Sequence, residues 1–368
     1  MARAAPVICI DCRYVRARPS GIGEVTAHLA AHAPALMPDR RFLLLKHPEA
    51  GRLSNAPNVE ERVVRHAANG PVTMWALPRF VDLSDLALFH APFNILPAGL
   101  RMPTIATVHD LMWLTHPDWA ARPGWRGSID RAFYRHGIRR ALARATRIAC
   151  VSSATAAEVA AILPGAAART RVTLSGVDTA FRPMADAPAE RPYLLCVGQF
   201  APYKNHQRVL EAFALAARDI PHLDLVFLQR QGAGSAVLAP RAAMLGVRDR
   251  VRFAPPVDRE ALVRLYAGAA ALVHPSLMEG FGNPLAEAMA CGCPVITSDR
   301  SAMPEVTAGA ALLVDPIDPT AIATAIRRVA TEPALAAELR AKGLTRAQAL
   351  SWQAFAAANV AIYRELIG

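Results

Sequence analysis

In MEGFGNPLAEAMACGCPVITSD, Met278 to Asp299, two glutamates, Glu279 and Glu287, stand on either side of a short glycine loop. Carboxylates accept hydrogen bonds from hydroxyls, and beside a diphosphate they repel it. Upstream, ALVHPS (Ala271 to Ser276) is predicted as a strand that ends where the loop begins. Downstream, Asn283 can cap a helix, Pro284 suits its first position, and Gly292 followed by Pro294 stops it. That predicts a helix from about Pro284 to Cys291. The loop therefore ends on a helix N-terminus. Free amides from Leu285 and Ala286, with Gly280 and Gly282 letting the backbone come close, make a cradle for phosphate or sugar hydroxyls. Glu279 then meets the hydroxyls of a sugar, and Glu287, one turn into the helix, both hydroxyls of a ribose. A nucleoside diphosphate sugar presents sugar, diphosphate and ribose in that order.

The elements that must position these residues are βα units. VICID, FLLLKH, LALFHA, TIATVHD and RIACVS, then YLLCVGQF, LDLVFLQ, VRFAPP, ALVHPS, PVITSD and ALLVD, are apolar runs alternating with helix-like segments. Continuous apolar runs imply strands buried on both faces, and their alternation with helices implies parallel sheets. The expected fold is α/β, two doubly wound Rossmann-like domains facing across a cleft. An N-terminal domain, which the resemblance given below implies is acceptor-binding, is expected over 1–180 and a linker over 181–192, where prolines cluster after Asp178. A nucleotide-sugar domain follows over 193–350, and a last helix over 351–368 with Trp352, Phe355, Val360, Ile362 and Tyr363 available for packing, toward the N-terminal domain. Ligands of open parallel sheets sit beyond the carboxyl ends of the strands.

At 368 residues, 53% hydrophobic and 19% charged, the chain is globular and long enough for two cores. No apolar run reaches the ~20 residues of a membrane-spanning helix and the N-terminus carries no signal-peptide pattern, so a cytoplasmic protein is expected. The six cysteines are read as structural, Cys9-x-x-Cys12 included. A net charge of +11 points to polyanions. Its densest stretch, Arg122 to Arg147, has eight arginines against Asp130 alone, with Ile129 and Phe133 among them. Either a solvated helix or a peripheral contact at the inner face of the membrane fits. Aromatics for base stacking are scarce and no nucleic-acid module is present, so no nucleic-acid partner is expected. SGIGEV begins like a dinucleotide fingerprint, but its third glycine position is Thr26 and FLLLKH ends in Lys46-His47 rather than an acid, which argues against a nicotinamide enzyme. No Asp-x-Asp occurs, so no metal and no cofactor is expected.

HPSLMEGFGNPLAEAMACGCPVITS, with its Glu-x7-Glu, closely resembles the donor-binding motif of retaining glycosyltransferase family 4, enzymes of the two-domain GT-B architecture. The resemblance covers nearly the whole chain. SGIGEVTAHL (Ser20 to Leu29) is similar to that family's first glycine loop, TVHDL (Thr107 to Leu111) to its catalytic histidine loop, GVD (Gly176 to Asp178) to its interdomain strand end, and YKNHQRVLEAF (Tyr203 to Phe213) to its phosphate-binding segment. SAMPEVTAGAALLVDPIDPTAIATAI is similar to its C-terminal pattern. The resemblance implies catalytic roles for His109 and Glu279. His109 would bond the transferred sugar and lend a backbone carbonyl to the oxocarbenium-like state. Donor binding would fall to Gly21, Gly23, Lys204, Glu279, Gly280, Phe281, Gly282, Asn283, Pro284, Leu285 and Glu287, with Lys204 on the diphosphate. Asp110 is read as a helix cap, and His90 as a further candidate facing the cleft. The chain departs from the family's pattern at Tyr203, where many relatives carry arginine, and at Gln199, where some do, with Arg230 a candidate replacement. It departs also at Leu174-Ser175, where the family has Pro-Asn, and at FAPPVD near the expected base site.

The implied function is transfer of a hexose with retention, first of all mannose from GDP-mannose, to a glycan or lipid-linked glycan in surface polysaccharide synthesis, without metal. A UDP-sugar donor, a sugar-nucleotide epimerase and a non-catalytic nucleotide-sugar-binding protein are the alternatives.

Overall fold

A computed structural model describes residues 6–17, 20–121, 124–184, 191–228 and 233–368. The chain forms two units, one of residues 1–176 with 352–368 and the other of residues 177–351.

The first unit is built on a seven-stranded sheet: β1 (Val7–Cys12), β2 (Arg41–Lys46), β3 (Val59–Val63), β4 (Leu86–Ala91), β5 (Thr104–Val108), β6 (Arg147–Cys150) and β7 (Thr170–Val172), in the order β3-β2-β1-β4-β5-β6-β7. The second carries β8 (Tyr193–Val197), β9 (Asp224–Leu228), β10 (Val251–Ala254), β11 (Ala271–His274), β12 (Val295–Ser298) and β13 (Leu312–Val314), in the order β10-β9-β8-β11-β12-β13. Every strand pair in both sheets is parallel. Each sheet thus reverses its strand order once, between β1 and β4 and between β8 and β11. A crevice opens beyond the carboxyl ends of the strands at such a reversal.

The central strands are continuous apolar runs because helices cover both of their faces. In the second unit Leu194, Leu225, Phe227 and Ile296 pack with Phe213, Ile322 and Ile326 from the helices. In the first, one core gathers Phe89, Ala106, Ile148 and Leu142, and a second joins Ile8, Ile10, Val25 and Leu29 to Trp352, Phe355, Val360, Ile362 and Tyr363. The helix Trp352–Ile367 therefore belongs to the first unit, and the Trp352 ring stacks on His28 at 4.2 Å.

The chain leaves the first unit at Gly176, ahead of the stretch 181–192 where the prolines cluster. Val177 donates to the Leu350 carbonyl at 2.9 Å and pairs with Ser351, and Phe181 packs edge-on to Tyr266, so both already stand within the second unit. Residues 185–190, and Arg230, lie outside the described residues.

Candidate active site

In the second unit the two strands beside the reversal, β8 and β11, each lead into a segment of the predicted site. After β11 the chain turns through Gly282 at φ 96°, which caps the helix Asn283–Ala290. The sequence suggested Asn283 as the cap; the left-handed turn puts glycine there instead, because an L side chain is strained at that φ. The helix accordingly starts one residue earlier than expected, with Pro284 inside its first turn. The Leu285 amide, expected to be free, donates to the Gly282 carbonyl at 2.9 Å. The amides of Gly282 and Asn283 remain at the helix start without an intrahelical partner, and the Phe281 side chain beside them is buried.

After β8, a short turn, Pro202–Lys204, carries Lys204, and Asn205 follows at φ 62°. The Asn205 amide group donates to the carbonyls of Pro275 at 3.0 Å and Pro316 at 2.6 Å, and the Leu277 amide donates to the Tyr203 carbonyl at 2.7 Å. These bonds fix the lysine segment against the glutamate loop. Lys204 Nζ then lies 2.6 Å from Glu279 Oε1, with both side chains 11% exposed. Ser276 Oγ donates to the same oxygen at 2.7 Å, and His274 Nε2 is 2.9 Å from it. Ser301 Oγ accepts from the Glu279 amide at 3.2 Å and donates to its carbonyl at 2.7 Å, clasping the backbone as well.

Burial alone would push the Glu279 carboxyl up, but the Lys204 cation and the His274 hydrogen bond outweigh it and hold it well below the usual carboxylate range. Burial likewise opposes the Lys204 charge, and Glu279 more than restores it, so the ammonium stays protonated. Burial and the nearby Lys204 keep His274 neutral. Among the described residues none hydrogen-bonds to Glu279 Oε2. One carboxylate oxygen is thus held and the other is open.

Glu287 receives a hydrogen bond from the Tyr266 hydroxyl at 2.8 Å. Tyr266 is fully buried, and burial beside Glu287 raises its pKa well above the ordinary value, so it stays a donor. Replacing Tyr266 by phenylalanine keeps the ring and removes that brace. A net hydrogen bond contributes ~1 kcal/mol, so Tyr266→Phe is expected to weaken nucleoside binding about fivefold by calorimetry. Unchanged affinity would show that Glu287 needs no brace. Gln199 donates to the Tyr203 hydroxyl at 3.1 Å, and the Tyr203 ring lies 5.4 Å under Lys204 Nζ.

In the first unit Gly21 and Gly23 form the first turn of the helix Gly21–His32 rather than a free loop. Ser20 caps it, accepting from the Gly23 amide at 3.1 Å. A Cβ on Gly23 would stand 2.8 Å from the Tyr14 carbonyl oxygen, which explains glycine there. The His109 loop follows β5. Its ring Nε2 donates to the Pro92 carbonyl at 2.9 Å, which leaves Nδ1 as an acceptor, and burial lowers its pKa so the ring is neutral. Asn94 braces the loop on both sides, accepting from the His109 amide at 3.2 Å and donating to the Asp110 carbonyl at 2.9 Å. The Asp110 carboxylate accepts from the Met112 amide at 3.0 Å, but Leu111 is the cap residue of the short helix Met112–Thr115, so Asp110 braces the turn ahead of that helix and is not its cap.

His90 does not face a ligand. Its ring is fully buried, 2.7 Å from the Tyr363 hydroxyl through Nδ1 and 2.8 Å from Thr107 Oγ1 through Nε2. A strand end does not reveal which face a residue takes, and this face is covered by the helix Trp352–Ile367. Burial pushes the pKa of His90, and of His206 in the second unit, down to about 3. Unfolded histidines take a proton near pH 6.5 while these do not. Stability is therefore full above about pH 6.5 and is lost as pH falls toward about 3, by about 1.4 kcal/mol per pH unit for each histidine. Thermal unfolding measured from pH 7 to 4 should show this decline, with a shallower slope in His90→Gln.

The structure thus brings Lys204, Glu279, Gly280 to Leu285 and Glu287 together in the second unit, and sets Gly21, Gly23 and His109 at the carboxyl ends of β1 and β5 in the first. The family description "Glycosyltransferase Family 4" matches residues 19–181, and "Glycosyl transferases group 1" matches residues 178–346. The chain is 28% identical over 305 residues to O-antigen chain mannosyltransferase B of Escherichia coli, covering 79% of this chain and 77% of that protein. It is 29% identical to the MMP alpha-(1->4)-mannosyltransferase of Mycolicibacterium hassiacum (73% and 67% covered). It is also 29% identical to the D-inositol 3-phosphate glycosyltransferase of Streptomyces avermitilis (72% and 66%). Among solved structures, sucrose-phosphate synthase from Thermosynechococcus elongatus superposes with a TM-score of 0.75 at 24% identity, covering 98% of this chain and 99% of that one. HepE from Anabaena, in complex with UDP and glucose, superposes with a TM-score of 0.71 at 15% identity over 98% and 100%. Two Rossmann-like sheets, a cation and carboxylate joined at a strand-order reversal, and two adjoining family matches identify the chain as a member of glycosyltransferase family 4, with the GT-B fold.

Proposed function

We propose that this glycosyltransferase is a retaining hexosyltransferase that uses a nucleoside diphosphate sugar, GDP-mannose first, and a hydroxyl of a glycan or lipid-linked glycan as acceptor. The half-held carboxylate of Glu279 carries the proposal: Oε1 is fixed by Lys204, Ser276 and His274, and Oε2 is open to a sugar hydroxyl. Lys204 and the amides at the start of helix Asn283–Ala290 meet the diphosphate, and Glu287, braced by Tyr266, meets the ribose. His109 accepts from the sugar through Nδ1. The two mannosyltransferase relatives support mannose as the sugar. Lys204 and the helix amides take the role that a divalent cation plays elsewhere, and EDTA is expected to leave turnover intact.

The test is a hydrolysis and transfer assay across GDP-mannose, UDP-glucose, UDP-N-acetylglucosamine and UDP-galactose, with the anomer of the product read by NMR. Turnover with uridine donors alone overturns the GDP-mannose assignment, and an inverted product overturns retention.

The arginine-rich segment forms the helix Trp125–Arg144, which buries Gly127, Gly137, Ile138, Ala141 and Leu142 and exposes Trp125 and Ile129 beside Arg126, Arg135, Arg139 and Arg144. An exposed tryptophan among arginines suits an anionic lipid surface. No helix among the described residues is long and apolar enough to cross a membrane. Vesicles containing phosphatidylglycerol are expected to sediment the protein and phosphatidylcholine vesicles are not; Arg135→Glu with Arg139→Glu should abolish the difference.

A further inference from the structure

Glu279 Oε1 is surrounded by three donors. Lys204 Nζ, Ser276 Oγ and His274 Nε2 lie at 2.6, 2.7 and 2.9 Å, and Ser276 Oγ is also 3.1 Å from His274 Nε2. A carboxylate oxygen has about two lone-pair directions, so three donors are one more than it needs. A donor diphosphate requires the Lys204 ammonium for itself, and Glu279 must keep its place when that cation turns away. The two remaining contacts suffice for this.

Charge must also be balanced. Within the site Lys204 offsets Glu279, and His274 is a neutral ring buried beside the carboxylate. A nucleoside diphosphate sugar adds two negative charges. The charged or titratable groups acting on His274 are Glu279 on its loop, Lys204 on the 202–204 turn and His206 on the helix His206–Ala216, and Lys204 in turn feels Tyr203 and Cys196. Burial pushes the Cys196 thiol up to about 12 and His206 down to about 3. His206 stacks on Phe200 and meets Phe227 edge-on, with ring centroids at 5.9 and 5.6 Å. His274 is the titratable ring that touches the carboxylate directly.

We propose that His274 and Ser276 are positioning residues that hold Glu279 when Lys204 passes to the donor diphosphate, and that His274 takes up a proton in that exchange. Losing the Lys204 repulsion and gaining the diphosphate field both favour the imidazolium. The proton comes from solvent and sits on His274, whose Nε2–H continues to donate to Glu279. By linkage, a site that gains a proton on binding holds its ligand more tightly as pH falls, by at most about tenfold per pH unit for one proton. Both phosphates of a nucleotide sugar are diesters that do not titrate near neutrality, so the donor adds nothing to this slope.

The inference rests on the donor site proposed above, and calorimetry separates the two. GDP-mannose, and UDP-glucose as a second probe, are titrated into the full chain in phosphate and Tris buffers between pH 6 and 8. Net proton uptake, seen as a buffer-dependent binding heat and an affinity that rises toward pH 6, is the expected result. His274→Gln keeps a donor to Glu279 and cannot take a proton, so its heat should be buffer-independent; Ser276→Ala should retain the uptake. Binding without uptake in the wild type overturns the role of His274 and leaves the donor site standing. Undiminished uptake in His274→Gln also overturns it and puts the proton on another group. Failure of both sugars to bind overturns the donor site and the inference with it. Where His274→Gln does not fold, the absence of a wild-type pH slope still overturns the role of His274, and His274→Asn takes the variant's place.

Discussion

Lys204→Ala is expected to weaken binding of a nucleoside diphosphate donor by about ten- to a hundredfold while leaving the bare nucleoside almost unaffected. A hydrogen bond to a charged group contributes ~1.5–3 kcal/mol, and tenfold is about 1.4 kcal/mol. The diphosphate alone meets the ammonium, so the loss should separate the two ligands in parallel titrations. An equal loss for both would remove Lys204 from the phosphate contact. The same variant should be less stable, because it leaves the nearly buried Glu279 carboxylate without its cation. Breaking one side of a buried pair costs about 3–5 kcal/mol. The double variant Lys204→Ala with Glu279→Ala should recover part of that stability, since no unpaired charge remains. A double variant less stable than either single one would show that the pair contributes little to the fold.

The second large effect is expected at His109. His109→Ala should lower kcat by about a hundredfold or more, in the range found for positioned proton-transfer and hydrogen-bonding groups, and change donor affinity by less than about twofold. The ring is aimed by its bond to the Pro92 carbonyl, and the backbone on each side is held by Asn94. Asn94→Ala should therefore reproduce part of the kcat loss without touching the ring. Unchanged turnover in His109→Ala would take the residue out of the site, and an equal rise in KM would make it a binding group instead.

The fold was legible where strands are central. All eleven apolar runs form strands; nine are central, where burial on both faces leaves no room for polar alternation, and the apolar edge strands β10 and β13 are partly exposed. VEERV and TRV, which became β3 and β7, escaped notice: both lie at sheet edges and are half exposed, so their composition is that of a loop. The glycine loop and the helix after it, proposed above for the donor, were legible as structure because their residues are contiguous. Their supports were not. Tyr266 comes from a helix that ends before β11 and is an ordinary core aromatic by type, and Asn205 acts through carbonyls that no side-chain pattern announces. The cap at Gly282 and the engaged Leu285 amide depend on a single positive φ, which moved the helix start by one residue. His90 was misjudged because its covering partner, Tyr363, lies 273 positions away.

The placement of helix Trp352–Ile367 in the first unit bears on how the chain is made. The stretch 177–351 is continuous, with its own sheet and core, and can finish folding as soon as it has been synthesised. The half that begins first cannot: Ile8, Ile10 and Leu29 wait for Phe355 and Tyr363 to close over them, which are translated only after the other half is whole. During that interval an oily seam is open to chaperones and proteases, and a nonsense codon placed just before Trp352 should yield a sound C-terminal half tethered to an N-terminal one that aggregates.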